Sequence, residues 1–192
     1  MKLNDYLIPF NYFHQFESKG RYIIKYSFKI NIKKSTFLFG ECESITNIDL
    51  SNFNSQDIKD MACMFYECSS LTNINFSNIN TQNVVDMGYM FYNCTSLIYI
   101  NLSNFNTQNV TNMRNMFYGC SLLINIVLSN FNTEKVTNMA RMFEGCKSLK
   151  SLGLYSFNTD NVTEMGCMFL GCSSLKFINL SNFNTQKVTN MN

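Results

Sequence analysis

Residues 97–120 read L-I-Y-I-N-L-S-N-F-N-T-Q-N-V-T-N-M-R-N-M-F-Y-G-C, and the pattern of this stretch returns every 26 residues. A fixed period between about 20 and 50 residues is typical of arrays in which each unit stacks on its neighbours. The sequence therefore predicts a solenoid of six coils. One cysteine marks each coil, and these cysteines are Cys42, Cys68, Cys94, Cys120, Cys146 and Cys172.

Each coil is predicted to contain three pieces. Residues 97–102 form L-x-x-I-x-L, a short strand whose marked residues point inward. The S-N-F-N-T turn follows, and residues 110–113 form a second extended piece. Residues 113–120 read M-x-x-M-F-x-x-C, the i, i+3, i+4, i+7 spacing of one helical face. The predicted fold class is an α/β repeat, a leucine-rich-repeat solenoid of six 26-residue coils with a short strand, a second extended piece and a short helix.

Two regions are predicted along the chain. From Tyr22 to Ile32 apolar side chains alternate with mostly polar ones, which indicates a half-buried strand. Residues 1–34 are therefore expected to form a β-containing N-terminal cap over the first coil, with its lysines facing water. A small basic contact surface is the alternative interpretation. Residues 35–192 form the array, which is predicted to lack a C-terminal cap.

The repeat resembles a known family. The blocks M-F-x-x-C-x-S-L and L-S-N-F-N-T-x-N-V-T-N-M are similar to the BspA-like leucine-rich repeats, the 26-residue repeat of bacterial surface proteins, over residues 35–190. The resemblance implies cell-surface adhesion and recognition of a partner protein. The chain departs from the family pattern because no secretion signal is visible and the array stops at Asn192. We therefore expect either a fragment or an end-to-end contact through the uncapped C-terminus.

Charge and hydropathy exclude several classes of partner. Residues 1–34 carry seven basic and two acidic side chains, whereas the whole chain has a formal net charge of +2, so the array itself is slightly acidic. No basic face spans the repeats, and we expect no nucleic-acid partner. No apolar run approaches the length of a transmembrane segment. The compartment stays open: the family resemblance implies the cell surface, and the missing signal favours the cytoplasm.

The residue types that usually carry chemistry are poorly placed for it. A cysteine in the same inward column of every coil is predicted to be a small apolar core residue with a free thiol. The chain has one histidine, His14, and it lies outside the repeats. Cys63 and Cys167 lack zinc-site spacing to their neighbours. We therefore predict no enzyme activity, no metal and no cofactor. An asparagine column from Asn54 to Asn184 is predicted to point inward and to bond the turn backbone.

Variation among outward strand positions is the better indication of a binding site. Ile98, Tyr99, Ile124 and Val127 replace polar residues of the first coils and predict an exposed apolar patch. Drift without function is the alternative. Tyr66, Tyr92 and Tyr118 form a second row, which we assign to helix packing rather than to recognition. The function hypotheses are an adhesion-type protein-binding module, an intracellular scaffold and a ligand-free spacer. The predicted partner-binding residues are Ile98, Tyr99, Ile124, Val127, Lys150, Lys176 and Phe177.

Overall fold

The computed structural model describes residues 2–3, 6–7, 24–25 and 32–191. The chain divides into two units, Met1–Asn31 and Ile32–Asn192. Three short strands of the first unit form an antiparallel sheet in the order β2-β1-β3. They are β1 (Lys2–Leu3), β2 (Tyr6–Leu7) and β3 (Ile24–Lys25).

The strand predicted from Tyr22 to Ile32 coincides with β3 at Ile24–Lys25. Of the remainder of that prediction, residues 22–23 and 26–31 lie outside the described residues, and Ile32 is not in a strand. The role of residues 1–34 as a cap remains a prediction.

The second unit contains one short strand in each coil, and successive strands pair in parallel in β4–β5, β6–β7 and β8–β9. The register matches the repeat, because Ile48 lies opposite Ile74 and Ile100 lies opposite Ile126. Side chains alternate across a strand, so the central isoleucine points inward while its neighbours face solvent. The strands are β4 (Asn47–Asp49), β5 (Asn73–Asn75), β6 (Tyr99–Asn101), β7 (Asn125–Val127), β8 (Ser151–Leu152) and β9 (Phe177–Ile178).

The predicted second extended piece is reduced to one bridging residue in each coil. Asp86 bridges Asn112, and Asn112 bridges Asn138, in a parallel ladder that runs from Lys34 to Asn190. Backbone hydrogen bonds flank each bridge, as where Met113 N–H donates to the carbonyl of Asn138 at 2.9 Å. The coils are thus joined by backbone ladders on two sides.

The predicted helix at residues 113–120 was wrong, and residues 32–191 contain no helix at all. An α-helix bonds each N–H to the carbonyl four residues earlier. Here Tyr118 N–H donates to Asn115, three residues earlier, while Phe117 N–H donates across the coils to Met142 at 2.9 Å. The backbone also enters the left-handed region at Asn115 (φ 54°) and Gly119 (φ 69°), which ends any helix. The α/β class is therefore corrected to a helix-free array of strands and tight turns.

The inward side chains of this segment were nevertheless predicted correctly. Met113, Met116, Phe117 and Cys120 are all 0% exposed. Consecutive turns place residues i, i+3, i+4 and i+7 on the inner side, so the spacing identifies the buried face without identifying a helix. Equivalent phenylalanines stack along the array, with ring centroids 5.3 Å apart for Phe91 and Phe117. The core is therefore a set of continuous apolar columns rather than a central cluster.

The inner polar column consists of Ser55 followed by the buried threonines of the next four coils. Thr107 is 1% exposed; its hydroxyl donates to the carbonyl of Asn132 at 2.9 Å and accepts the Asn132 N–H at 2.8 Å. The asparagines were expected to point inward, but Asn106 and Asn132 are exposed. The expectation that they bond the turn backbone is confirmed, because Asn106 Oδ1 accepts the Gln108 N–H at 3.1 Å. Threonine is the shorter side chain, and it fits inside the tight turn.

Candidate functional site

The predicted partner-binding residues lie on the outward side of the strands and the positions beside them. Ile98 and Ile124 occupy equivalent positions in neighbouring coils, where Ile124 N–H donates to the carbonyl of Ile98 at 2.8 Å. Lys150 continues the same column one coil further, and its N–H donates to Ile124. The two isoleucines are 50% and 38% exposed. The ladder therefore fixes two apolar side chains and one lysine in a row.

The remaining predicted residues lie beside this row. Tyr99 is 51% exposed and pairs with Asn125 across β6 and β7, while Val127 is partly buried at the end of β7. Phe177 is 73% exposed on β9, where it pairs with Ser151. The structure thus brings Ile98, Tyr99 and the β7 residues together and places Lys176 and Phe177 two strands further along the array.

Two exposed apolar residues of this region were not predicted from the sequence. Leu122 is 50% exposed two residues before Ile124, at a position where the neighbouring coils have serine. Tyr155 is 80% exposed and also replaces a serine of the S-N-F-N-T turn. Its ring lies over Gly153, since a Cβ at that glycine would be 3.6 Å from the ring. Both departures from the serine columns are visible in the sequence and could have been found there.

We call the apolar residues on and beside β6 to β8 the strand-face patch, and all of them except the partly buried Val127 are exposed. A contiguous exposed apolar surface is unfavourable in water and typically marks an interaction site. The equivalent positions on β4 and β5 are exposed and polar, so the patch is a local departure from the repeat. The strand-face patch consists of Ile98, Tyr99, Leu122, Ile124, Val127 and Tyr155, with Lys150 beside it.

The sequence of this chain matches a known protein family. The model of a family described as "Mycoplasma protein of unknown function, DUF285" matches residues 12–100, 30–131 and 96–192. The chain belongs to the DUF285 family. No curated protein matches this DUF285 chain. A crystal structure of the leucine-rich repeat protein of T. pallidum is similar over 73% of this chain and 69% of that chain, at 20% identity and a TM-score of 0.43.

The family match and the inward L-x-x-I-x-L strands support a repeat family of the leucine-rich-repeat kind for the DUF285 chain. The family match does not identify the BspA-like branch specifically, so that assignment remains a prediction.

The cysteine column of the DUF285 chain is arranged for packing rather than for reaction. All eight cysteines are free thiols. Each inner thiol donates to a carbonyl of the preceding coil, as Cys120 Sγ does to Phe91 at 3.1 Å. Burial raises the pKa of Cys68 to about 12 and that of Cys120 well above its ordinary value. Since the thiolate is the nucleophile, these thiols are unreactive near neutral pH.

Cys63 lies outside that column and is partly buried. Burial raises its pKa to about 11, with further contributions from the negative charges of Asp86 and Asp60. Over residues 32–191 and the three short strands of the first unit, no group of three or more metal-ligating side chains is present. No helix that could cross a membrane occurs in the part of the chain that the structure describes.

The tyrosine row lies on the turn segment that was predicted as a helix, so its assignment to helix packing was wrong. Tyr66 and Tyr92 stack with ring centroids 4.8 Å apart, and Tyr92 and Tyr118 stack at 4.6 Å. All three rings are half-buried. Burial is the main cause that raises the pKa of Tyr66 and of Tyr92. The row ends at Tyr118, since the next coil has Glu144 at the equivalent position.

Proposed function

We propose that this DUF285 chain is a non-enzymatic protein-binding module that contacts a partner protein through the strand-face patch. The observation that carries the proposal is the contrast within the array. Around β4 and β5 the outward positions are polar, as at Thr46 and Thr72, whereas Ile98 and Ile124 replace them around β6 and β7. The buried hydrophobic columns stay apolar throughout, with exchanges such as Leu102 for Phe76, so the change from polar to apolar is confined to the solvent side.

The backbone supports this role because it holds the patch rigidly. Ladder hydrogen bonds fix the spacing of neighbouring coils, so little conformational entropy remains to be lost when a partner binds. Tyr99 supplies an exposed aromatic ring beside the aliphatic side chains, and tyrosine is enriched among residues that dominate binding energy. Lys150 at the margin favours a partner with acidic groups around an apolar centre.

Family resemblance favours adhesion at the cell surface, and an intracellular scaffold using the same patch is the second candidate. The free, buried cysteines favour the scaffold, because unpaired thiols are typical of reducing compartments. Mass spectrometry of the protein from its native source separates the two. Glycan, lipid or paired cysteines support the surface adhesin, whereas eight free thiols on an unmodified chain support the scaffold.

A site-specific photo-crosslinker tests the patch itself. A benzophenone side chain replaces Tyr99 in one protein and Asn47 of β4 in the control protein, and both are irradiated in native cells. The proposal expects one dominant crosslinked partner with the Tyr99 probe and none with the Asn47 probe. Affinity for that purified partner should then fall at least tenfold in the double variant Tyr99→Ala, Ile124→Ala. No specific crosslinked partner at either position would support the ligand-free spacer instead, and equal crosslinking of one partner at both positions would refute confinement of binding to the patch.

A further inference from the structure

A groove of about 390 Å³ crosses three coils at the turns that precede the strands. Its floor is the backbone of Gly119, Gly145 and Gly171, which all have a positive φ between 69° and 75°. The equivalent position holds Glu41, Glu67 and Asn93 in the earlier coils, so the side chain is missing in the three coils whose glycines form the floor. Glycine readily adopts the left-handed conformation that these three turns require, and because it has no side chain the groove above it stays open.

One wall of the groove carries a carboxylate with unused hydrogen-bonding capacity. The side chain of Glu144 is 14% exposed, and its Oε2 is buried without a hydrogen-bond donor from any described residue. Arg141 Nη1 lies 3.6 Å from this oxygen, which compensates charge but is longer than a hydrogen bond. A buried carboxylate oxygen without a donor is unfavourable. Glu144 lines the groove, and the last torsion of a glutamate side chain is broad, so the carboxylate is free to present an oxygen to a bound group.

A second oxygen acceptor lies at the same end of the groove. Asn93 Oδ1 lies directly over Gly119, since a Cβ at that glycine would be only 2.0 Å from it. Glu144 adjoins the same glycine from the next coil, because Gly119 N–H donates to the Glu144 carbonyl at 2.7 Å. Tyr118, the last ring of the tyrosine row, also lines this end. Two acceptor oxygens beside an aromatic ring suit a compact ammonium group.

A lysine also lines the groove. Lys147 is exposed, so the lining residues include one cation as well as the Glu144 carboxylate. A polylysine segment is disfavoured by Lys147, whereas a segment with one lysine and a nearby carboxylate is complementary to both charges. Ser121 lines the groove and adjoins Leu122 of the strand-face patch, so a peptide of the same partner reaches both surfaces.

We propose that the groove over Gly119, Gly145 and Gly171 binds a lysine side chain of an extended peptide segment, with the ammonium group held by Glu144 and Asn93. Lys147 then accepts the carboxylate of a nearby acidic residue of that segment. This proposal rests on the proposed function only for the origin of the peptide, which would belong to the partner protein. The evidence for the ammonium site comes from the groove residues alone.

The test uses the capped peptide acetyl-Gly-Lys-Gly-Glu-Gly-amide and the same peptide with an acetylated lysine side chain. Each is titrated into the full chain, and two-dimensional NMR follows the amide signals of the three groove glycines. We expect saturable shifts of these signals with the first peptide and at least a tenfold weaker affinity with the acetylated one. Equal affinity for both peptides, or no shift of the glycine signals up to 10 mM, overturns the proposal.

Two variants assign the effect to the carboxylate. Glu144→Gln keeps the shape of the side chain and removes its charge, so peptide affinity should fall about tenfold. Glu134→Gln removes an exposed charge outside the groove and should leave the affinity unchanged. Ser121→Phe fills the groove from its wall while Glu144 stays intact, and it should abolish the shifts with an unchanged thermal midpoint. If N-acetyl-lysine amide binds as tightly as the peptide, the site accepts a free amine and the peptide proposal is refuted.

These outcomes are independent of the strand-face patch. Tyr99→Ala, Ile124→Ala leaves Glu144 and Asn93 intact, so peptide binding in the groove should be retained in that double variant. If the double variant loses partner binding but keeps peptide binding, both proposals are supported. If the double variant keeps partner binding, the proposal for the strand-face patch is refuted and the proposal for the groove is not.

Discussion

The buried thiol column predicts that the array loses stability under mild alkali. Cys68, Cys94, Cys120 and Cys146 are all 0% exposed. Burial raises the pKa of Cys68 to about 12 and raises that of each of the other three above its ordinary value. In the unfolded chain the same thiols titrate near their ordinary pKa of about 8.5. Raising the pH from 8 to 10 therefore stabilises the unfolded chain relative to the folded core.

The sign of the effect follows from proton binding. Between the unfolded and folded pKa values the folded chain keeps protons that the unfolded chain has released, so the free energy of unfolding falls as pH rises. Below pH 8 the contribution is fully present. Each buried thiol removes about 1.4 kcal/mol for each pH unit once the unfolded pKa is passed. Four thiols together remove about 8 kcal/mol between pH 8 and pH 10, which is comparable to the whole stability of an ordinary domain.

Urea unfolding monitored by circular dichroism at pH 8, 9 and 10, in the presence of a reductant, measures this loss. The variant Cys94→Ala isolates the thiol contribution from that of every other group. We expect this variant to be less stable than the parent chain at pH 8, because the substitution leaves a cavity. Between pH 8 and pH 10, however, its free energy of unfolding should fall by about one quarter less than that of the parent chain. Val110→Ala is the control, since it also creates a core cavity but removes no titrating group. If Cys94→Ala and the parent chain have the same pH slope, the argument from buried thiols is refuted.

Two matched pairs of substitutions test the turns and the inner polar column. Gly145→Ala places a side chain at φ +74° and should lower the free energy of unfolding by about 1–2 kcal/mol, whereas Gly153→Ala, whose φ is not positive, should be nearly neutral. Thr133→Val removes the hydroxyl that accepts the Asn158 N–H and donates to its carbonyl, which should cost about 2–3 kcal/mol. Thr137→Val, at an exposed threonine, should change the free energy of unfolding by less than about 0.5 kcal/mol. Chemical denaturation checks all four, and equal losses within either pair would contradict the reasoning.

The period and the inward columns could be predicted from sequence because they depend on residue type alone. Every coil must place an apolar side chain at the same inward position, so Phe91, Phe117 and Cys120 identify the core wherever the period is found. The backbone conformation between them could not be predicted in the same way. Spacing of i, i+3, i+4 and i+7 fits one face of a helix and equally fits a run of tight turns, and only the hydrogen bonds distinguish the two.

One sequence feature did oppose the helix. Gly119, Gly145 and Gly171 precede the cysteine in three successive coils, and glycine is a weak helix former but a favoured residue where φ is positive. The other left-handed positions, Asn115 and Arg141 among them, carry side chains and gave no such indication. There the backbone ladder to the next coil stabilises a conformation that local propensity disfavours, and this effect of the stacked array is invisible in a single repeat.

Both candidate surfaces arise where the repeat departs from its own pattern on the solvent side. Glycine replaces Glu67 and Asn93 in the later coils and opens the groove, while Leu122 and Ile124 replace serine and threonine and form part of the strand-face patch. A solenoid is stabilised by contacts between neighbouring coils, so its inner columns tolerate little change and its outer columns tolerate much. Because the two sets of departures adjoin at residues 121–122, one partner that places a lysine in the groove also reaches the apolar patch. If substitutions in the groove and substitutions on the patch each weaken binding of the same partner, the two surfaces act as one interface.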